Sequence, residues 1–213
     1  MGERQEERRM SGIIICYGDS NTYGYDSRSF SGGRYEKNIR WTGLLQKNTG
    51  LEIRNHGVNG RCIPHNSPQI RFACEQTEEW GRKAGGWMTV MLGTNDLLQE
   101  PGFTAGDTAA RMENFLRKLC ETEAVKRGRL RLWLLSPPRM KRGAWVEEDR
   151  ICRESERLGK EYQKVAEKLD IKFTDTGKWK IPVLFDGVHF SEEGHRKFAE
   201  EMQKETELLF SEE

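Results

Sequence analysis

Short apolar runs alternate with longer segments of helical period along most of the chain. Glycines, prolines or polar residues bound each apolar run, as is typical of strands, whereas the longer segments repeat their apolar positions every three or four residues, as amphipathic helices do. The strand-like runs cover residues 13–17, 52–55, 87–92, 130–135 and 172–174, and the helical segments lie near residues 39–48, 68–83, 105–126, 147–169 and 191–209. This alternation predicts repeated βα units, and therefore an α/β fold with a parallel sheet of five strands.

The length of 213 residues suits one domain rather than two. Because no linker rich in Pro, Gly or Ser divides the chain, we predict a single flavodoxin-like three-layer α/β/α domain over residues 11–213. The first ten residues, MGERQEERRM, are predicted to form a disordered leader, and they are too charged for a signal peptide.

Charge and cysteine content narrow the range of partners. The 35 Lys and Arg residues nearly balance the 34 Asp and Glu residues, so the net charge of +1 provides no field that would attract nucleic acid or an anionic membrane. No apolar run approaches the roughly 20 residues that a membrane helix needs. We therefore expect a small-molecule substrate, no nucleic-acid or membrane partner and a cytoplasmic location, while a homo-oligomer stays open. Five scattered cysteines without a C-x-x-C pair indicate reduced thiols that pack in the fold, and no metal or cofactor is expected.

Polar residues follow several of the predicted strands. Gly18-Asp19-Ser20 follows the first strand, a loop that ends at Gly60 follows the second, and Asn95 follows the third. Near the C-terminus, Asp186 and His189 share one short loop before the last helix. Open parallel sheets bind their ligands at the carboxyl ends of the strands, so these groups are expected to meet at one edge.

In these blocks and their order, the sequence resembles the SGNH, or GDSL-type, serine hydrolase family from Ile13 to the last helix. The resemblance implies that Ser20 is the nucleophile, and that Asp186 and His189 are its catalytic partners. It also implies that the backbone N–H groups of Ser20 and Gly60 and the side-chain amide of Asn95 form the oxyanion hole.

The segments Arg40-Trp41-Thr42-Gly43 and Ser136-Pro137-Pro138 look closest to the arylesterase and acyltransferase branch of that family. Position 21 departs from the family's name motif, because it holds Asn where the motif has Leu. We expect this difference to affect substrate fit more than activity.

Ester hydrolysis by serine requires these residue types. A serine hydroxyl attacks an ester only when a base removes its proton, and a neutral imidazole does so near neutral pH. His189 fits that role, and the carboxylate of Asp186 would hold its ring in one tautomer. Preformed hydrogen-bond donors must then stabilise the negative oxygen of the tetrahedral intermediate.

The remaining histidines and an aspartate have structural interpretations. His56, His65 and His195 lack metal-ligand spacing and are read as structural or solvated, and Asp96 is expected to anchor its loop by hydrogen bonds. Aromatic side chains suit a substrate pocket and the core equally well. They are Tyr23, Tyr25, Trp41, Phe103, Trp145 and Phe185.

The sequence thus predicts a serine esterase that hydrolyses short-chain acyl or aryl esters through an acyl-serine intermediate. One alternative is a carbohydrate O-acetylesterase, which would use the same residues with a more polar rim. A non-catalytic nucleotide- or sugar-binding module is a further alternative, although the loop from Gly18 to Gly24 lacks the G-x-G-x-x-G spacing of a dinucleotide site.

Overall fold

The computed structural model describes residues 12–29 and 33–211. The predicted leader, residues 1–10, lies outside the described residues. Within them, five parallel strands form one sheet in the order β2-β1-β3-β4-β5. The strands are β1 (Ile13–Gly18), β2 (Glu52–Gly57), β3 (Gly86–Met91), β4 (Leu130–Ser136) and β5 (Lys172–Asp175).

Helices connect the strands and cover both faces of the sheet. They are α1 (Ser20–Tyr23), α2 (Trp41–Thr49), α3 (Ser67–Lys83), α4 (Thr94–Gln99), α5 (Ala105–Cys120), α6 (Glu123–Lys126), α7 (Asp149–Leu169) and α8 (Glu192–Ser211), with a 3-10 turn at Thr176–Trp179. The α/β class and the five parallel strands predicted from the sequence are confirmed. None of the helices in the described parts of the chain is both long enough and apolar enough to cross a bilayer.

The alternation of side chains along each strand divides the core into two layers. One face of the sheet carries Ile15, Val90 and Leu134 and packs against α3, α5 and α7. The other face carries Ile14 and Trp133 and packs against α2 and α8. Both faces of the central strands are therefore buried, which explains why β1, β3 and β4 read as continuous apolar runs rather than alternating ones.

The helix predicted over residues 105–126 is divided in two, which corrects the sequence interpretation. Thr122 adopts an extended backbone and its hydroxyl donates to the Leu119 carbonyl at 2.6 Å. The carboxylate of Glu78 accepts the N–H groups of Glu123 and Ala124 at the start of α6. Glu78, which lies on α3, thus caps the start of α6. This cap outweighs the continuous helical period of the sequence, so the chain turns between α5 and α6.

The strand order places a crevice between β1 and β3. The chain leaves β1 toward β2 on one side and returns to β3 on the other, so the connections that follow β1 and β3 run in opposite directions. Loops at such a switch point separate and leave room for a ligand. The loops after β1, β2 and β3 all start at this edge of the sheet, as predicted.

Candidate active site

Ser20 is the first residue of α1, at the carboxyl end of β1. The side chain of Asp19 caps this short helix by accepting the N–H of Asn21 at 2.9 Å. The turn is so tight that a Cβ at Gly18 would lie 2.1 Å from the hydroxyl oxygen of Thr22, so only glycine fits there. The Gly-Asp-Ser sequence is thus what fixes Ser20 at the edge of the sheet.

His189 and Asp186 lie beside Ser20 in the loop before α8. Nε2 of His189 is 3.0 Å from Oγ of Ser20, and Nδ1 of His189 is 2.8 Å from Oδ2 of Asp186. All three side chains are buried. The structure thus brings together the three residues that the sequence grouped, in the order serine, imidazole, carboxylate.

The carboxyl group of Asp186 is held ionised although it is fully buried. Burial alone would raise its pKa. The hydrogen bonds from the His189 ring and from the backbone N–H groups of His189 and Val188 lower the pKa by a larger amount, so that it lies well below its usual range. Because an ionised carboxylate only accepts hydrogen bonds, Nδ1 of His189 must carry the proton. Nε2 is then free to accept a proton from Ser20.

Two aromatic rings pack against His189. The ring of Tyr25 lies 4.7 Å from the imidazole, and the ring of Trp145 lies 4.8 Å from it at an angle of 87°. Trp145 remains 51% exposed, and the neighbouring Phe185 is exposed as well. These rings form an apolar wall beside the reactive groups.

The N–H groups of Ser20 and Gly60 have no hydrogen-bond partner within the described residues. Gly60 adopts a positive φ of 71°, which an L side chain rarely adopts, and a Cβ there would have open space around it. The side chain of Asn95 donates from Nδ2 to the Arg61 carbonyl at 3.1 Å and accepts from Gln99 at 3.3 Å. These two bonds fix the orientation of the Asn95 amide, and its second N–H has no partner among the residues that the structure describes.

Asp96 forms hydrogen bonds, as expected from the sequence, but the loop that it anchors is the one that carries Gly60 rather than its own. Its buried carboxylate accepts the N–H of Ile63 at 3.0 Å and pairs with Arg111 at 2.8 Å. Burial nevertheless raises the pKa of Asp96 above its usual value. Asn95 and Asp96 therefore both connect the start of α4 to the loop after β2.

A cleft of about 460 Å³ lies beside Gly60, and its lining residues do not include Ser20 or His189. Its walls include the polar side chains of Asn59, Gln69 and Gln99 and the exposed ring of Phe72. Gly60 itself lines this cleft, which connects the cleft to the loop after β2.

The other candidate residues have structural surroundings. His195 is buried and its Nδ1 accepts the backbone N–H of Trp41 at 3.3 Å, and burial lowers its pKa to about 3. The His56 ring packs 4.3 Å from Trp80, and Nδ1 of His65 lies 3.1 Å from the Ile63 carbonyl. In residues 12–29 and 33–211, no three side chains of His, Cys, Asp or Glu are grouped in a way that would hold a metal ion.

The six aromatic residues considered in the sequence fall into different environments. Only Tyr25 and Trp145 contact His189, and Phe185 is exposed nearby. Trp41 lies in the core, Phe103 packs against the core, and Tyr23 lies under the guanidinium of Arg34. Sequence reasoning did not identify Asn21 as a contact of the His189 loop, although its departure from the family motif was a signal.

The family model of the GDSL-like lipase/acylhydrolase family matches residues 16–197. No curated protein sequence matches the chain. Among solved structures, the M. smegmatis aryl esterase is 20% identical and superposes with a TM-score of 0.79, covering 93% of this chain and 99% of that one.

Two further solved structures have the same fold. A carbohydrate acetylesterase family member from Sinorhizobium meliloti is 23% identical, with a TM-score of 0.79 and coverage of 94% of this chain and 99% of that one. A lipolytic G-D-S-L family protein from Veillonella parvula is 19% identical, with a TM-score of 0.65 and coverage of 92% and 97%. From the match over most of its length, the chain belongs to the GDSL-like lipase/acylhydrolase family and is a carboxylic ester hydrolase.

Proposed function

We propose that this hydrolase cleaves small short-chain acyl or aryl esters through an acyl intermediate on Ser20. The observation that carries the proposal is the chain of contacts from Ser20 Oγ to His189 Nε2, at 3.0 Å, and from His189 Nδ1 to Asp186, at 2.8 Å. Membership of an ester hydrolase family leaves the alternative of a non-catalytic binding module without support.

The geometry supports a two-step reaction. Ser20 Oγ attacks the ester carbonyl while His189 Nε2 accepts the hydroxyl proton, and the imidazolium then gives that proton to the leaving alcohol. Asp186 stabilises the imidazolium that forms between these events. A water molecule, activated in the same way by His189, releases the acid from Ser20.

The free donors near Ser20 suit the charge that develops during the attack. The N–H groups of Ser20 and Gly60 and the second N–H of Asn95 Nδ2 would donate to the oxyanion of the tetrahedral intermediate. Gly60 and Asn95 follow β2 and β3, whereas His189 lies in the loop before α8.

The aromatic wall favours an aryl or short acyl ester. Trp145 and Tyr25 stand against His189, where a leaving group must pass to receive its proton. A flat apolar group packs well on such rings. The M. smegmatis aryl esterase shares the fold.

The second candidate substrate class is acetylated carbohydrate. The cleft beside Gly60 presents amide side chains, Asn59, Gln69 and Gln99, that match the hydroxyl groups of a sugar. The S. meliloti carbohydrate acetylesterase family member also shares the fold. The two substrate classes thus correspond to different surfaces, the aromatic rings beside His189 and the cleft beside Gly60.

Two matched variants separate the substrate classes. Kinetics would be compared on phenyl acetate and on a peracetylated monosaccharide for Trp145→Ala and Gln69→Ala. For an aryl or short-chain acyl esterase we expect Trp145→Ala to raise KM for phenyl acetate several-fold, while Gln69→Ala has no effect. The reverse pattern on the acetylated sugar would favour the carbohydrate esterase.

Ser20→Ala tests the nucleophile itself. We expect this variant to lose ester hydrolysis and labelling by a fluorophosphonate while its thermal unfolding stays near that of the unmodified protein. Fluorophosphonate attached to another residue, identified by peptide mapping, would overturn the assignment of Ser20.

A further inference from the structure

The side chain of Asn21 binds the backbone on both sides of His189. Its Oδ1 accepts the N–H of Phe190 at 3.0 Å, and its Nδ2 donates to the carbonyl of Val188 at 3.1 Å. Asn21 is only 4% exposed. The amide group therefore faces the His189 loop rather than a substrate cleft, and it pairs with that loop as a neighbouring strand would.

The backbone of Asn21 is fixed as well. Its N–H donates to Asp19 at 2.9 Å, and its carbonyl accepts the indole N–H of Trp41 at 3.1 Å. Because Ser20 is the preceding residue, the position of the Asn21 amide and the position of the Ser20 hydroxyl are set together.

Asp186 performs a different task. It lies three residues before His189 in the same loop, so its hydrogen bonds orient the imidazole within the loop. The backbone N–H groups of Lys141, Ala144 and Trp145 bind this loop to the segment after β4 and not to α1. Within the described residues, the hydrogen bonds between α1 and this loop come from Ser20 and Asn21. The bond from Ser20 is the one that must break in each turnover.

We propose that Asn21 is a positioning residue that holds His189 Nε2 within proton-transfer distance of Ser20 Oγ by clamping the peptide groups of Val188 and Phe190. The proposal rests on the assignment of Ser20 and His189 as nucleophile and base. It also revises the interpretation of Asn21 as a determinant of substrate fit, since the amide acts on the base instead.

Asn21→Leu tests the clamp, because leucine is similar in size and makes neither hydrogen bond. A misplacement of about 1 Å between reacting groups costs on the order of 100-fold, so we expect kcat to fall about 10- to 100-fold with KM changed less than about threefold. The rate of fluorophosphonate labelling should fall by a similar factor, because it depends on the same proton transfer.

Thr49→Val is the matched control. The buried Thr49 hydroxyl donates to the Leu45 carbonyl at 2.7 Å and accepts the Leu51 N–H at 3.2 Å, so valine removes the same kinds of bond at the end of α2. We expect both variants to lower Tm, and only Asn21→Leu to lower kcat. Equal losses of Tm with kcat within twofold of the unmodified protein would show that Asn21 has a purely structural role.

An NMR measurement distinguishes a displaced loop from a damaged one. The downfield proton resonance of His189 Nδ1–H reports the bond to Asp186, which is internal to the loop. The proposal expects this resonance to persist in Asn21→Leu while kcat falls. Its disappearance together with the activity would mean that the loop itself has unfolded, and would overturn the positioning role.

Asn21→Asp is a second variant that tests the clamp if Asn21→Leu does not fold. The carboxylate has the same shape and still accepts the N–H of Phe190, but it has no donor for the Val188 carbonyl. We expect kcat between those of the unmodified protein and Asn21→Leu, at an unchanged KM, and an unchanged kcat would refute the clamp. Ser20→Ala separates the failures: activity in that variant would refute the proposed function, whereas an inactive Ser20→Ala with a normal Asn21→Asp would refute only the clamp.

Discussion

The two sides of Ser20 differ in how fully their polar groups are paired. On the side of His189, Asp186 accepts three hydrogen bonds and the imidazole is bound at both nitrogens. On the side of Gly60, the N–H groups of Ser20 and Gly60 have no hydrogen-bond partner in the described part of the chain. The polar groups beside His189 are thus paired before a substrate binds. Under the proposed mechanism, the N–H groups on the other side bind the oxyanion only when it forms.

This difference follows from when charge appears. The base must have the right tautomer before the reaction starts, so its hydrogen bonds belong to the resting protein. The oxyanion exists only during the reaction, and donors that are already paired would have to exchange partners at that moment. Asp96 holds the loop after β2 by accepting the Ile63 N–H, and the Arg61 carbonyl accepts one of the two N–H groups of Asn95 Nδ2.

The largest expected effect comes from breaking the paired side with Asp186→Asn. The amide would donate to His189 Nδ1 and favour the tautomer that carries its proton on Nε2, which cannot accept the proton of Ser20. By analogy with serine hydrolases in general, kcat should fall about 10³- to 10⁴-fold. Steady-state kinetics on p-nitrophenyl acetate would measure this. A loss of less than tenfold would mean that Asp186 does not set the tautomer.

The next largest effect comes from removing a donor on the open side with Asn95→Ala. The Asn95 amide binds a neutral carbonyl weakly and the oxyanion strongly, so kcat should fall about 10²- to 10³-fold while KM changes little. Asn95→Asp should be at least as harmful, because its negative charge would repel the oxyanion. A protein with lower Tm and nearly normal kcat would show instead that Asn95 serves only to tie the loop at Arg61.

The smallest expected effect comes from changing Asp19, whose buried carboxyl group can be compared with that of Asp186. Both carboxyl groups are buried, but burial raises the pKa of Asp19 to about 6, because the N–H of Asn21 and the other groups that lower it compensate only in part. The carboxyl group of Asp19 ionises at a lower pH in the unfolded chain than in the folded protein. Asp19 therefore costs stability as pH rises through about 4 to 6, and the cost is complete above that range.

Asp19→Asn should remove that cost, since an amide does not ionise and its oxygen can still accept the N–H of Asn21. The gain at pH 8 should reach up to about 3 kcal/mol in the free energy of unfolding, and it should vanish near pH 4. Urea unfolding at both pH values measures it. An equal change at the two pH values would show that Asp19 is not the group that titrates.

The sequence predicted much of the fold and the three side chains that meet beside β1. Each of the five strands was located to within two residues of its ends, because buried parallel strands leave apolar runs that polar residues interrupt. Ser20, Asp186 and His189 were recognisable from motif and chemistry together. The short helices α1 and α4 were missed, since four and six residues are too few to show a helical period.

Contacts between residues that are far apart along the chain could not be predicted from the sequence. Asn21 and Phe190 are 169 residues apart, and no local pattern connects them. The same holds for Tyr25 and Trp145, which looked as suitable for the core as for a pocket until the fold placed both against His189. Their roles depend on which loops the sheet brings together.

The span of 169 residues between Ser20 and His189 also bears on the synthesis of the protein. A ribosome makes Ser20 long before His189, so under the proposed mechanism a growing chain carries an inert serine until the loop before α8 has left the exit tunnel and docked beside β1. Contacts of such long sequence separation form late, because a large loop must close before they contribute. Under the proposed mechanism, we therefore expect chains that end before His189 to be unable to hydrolyse esters.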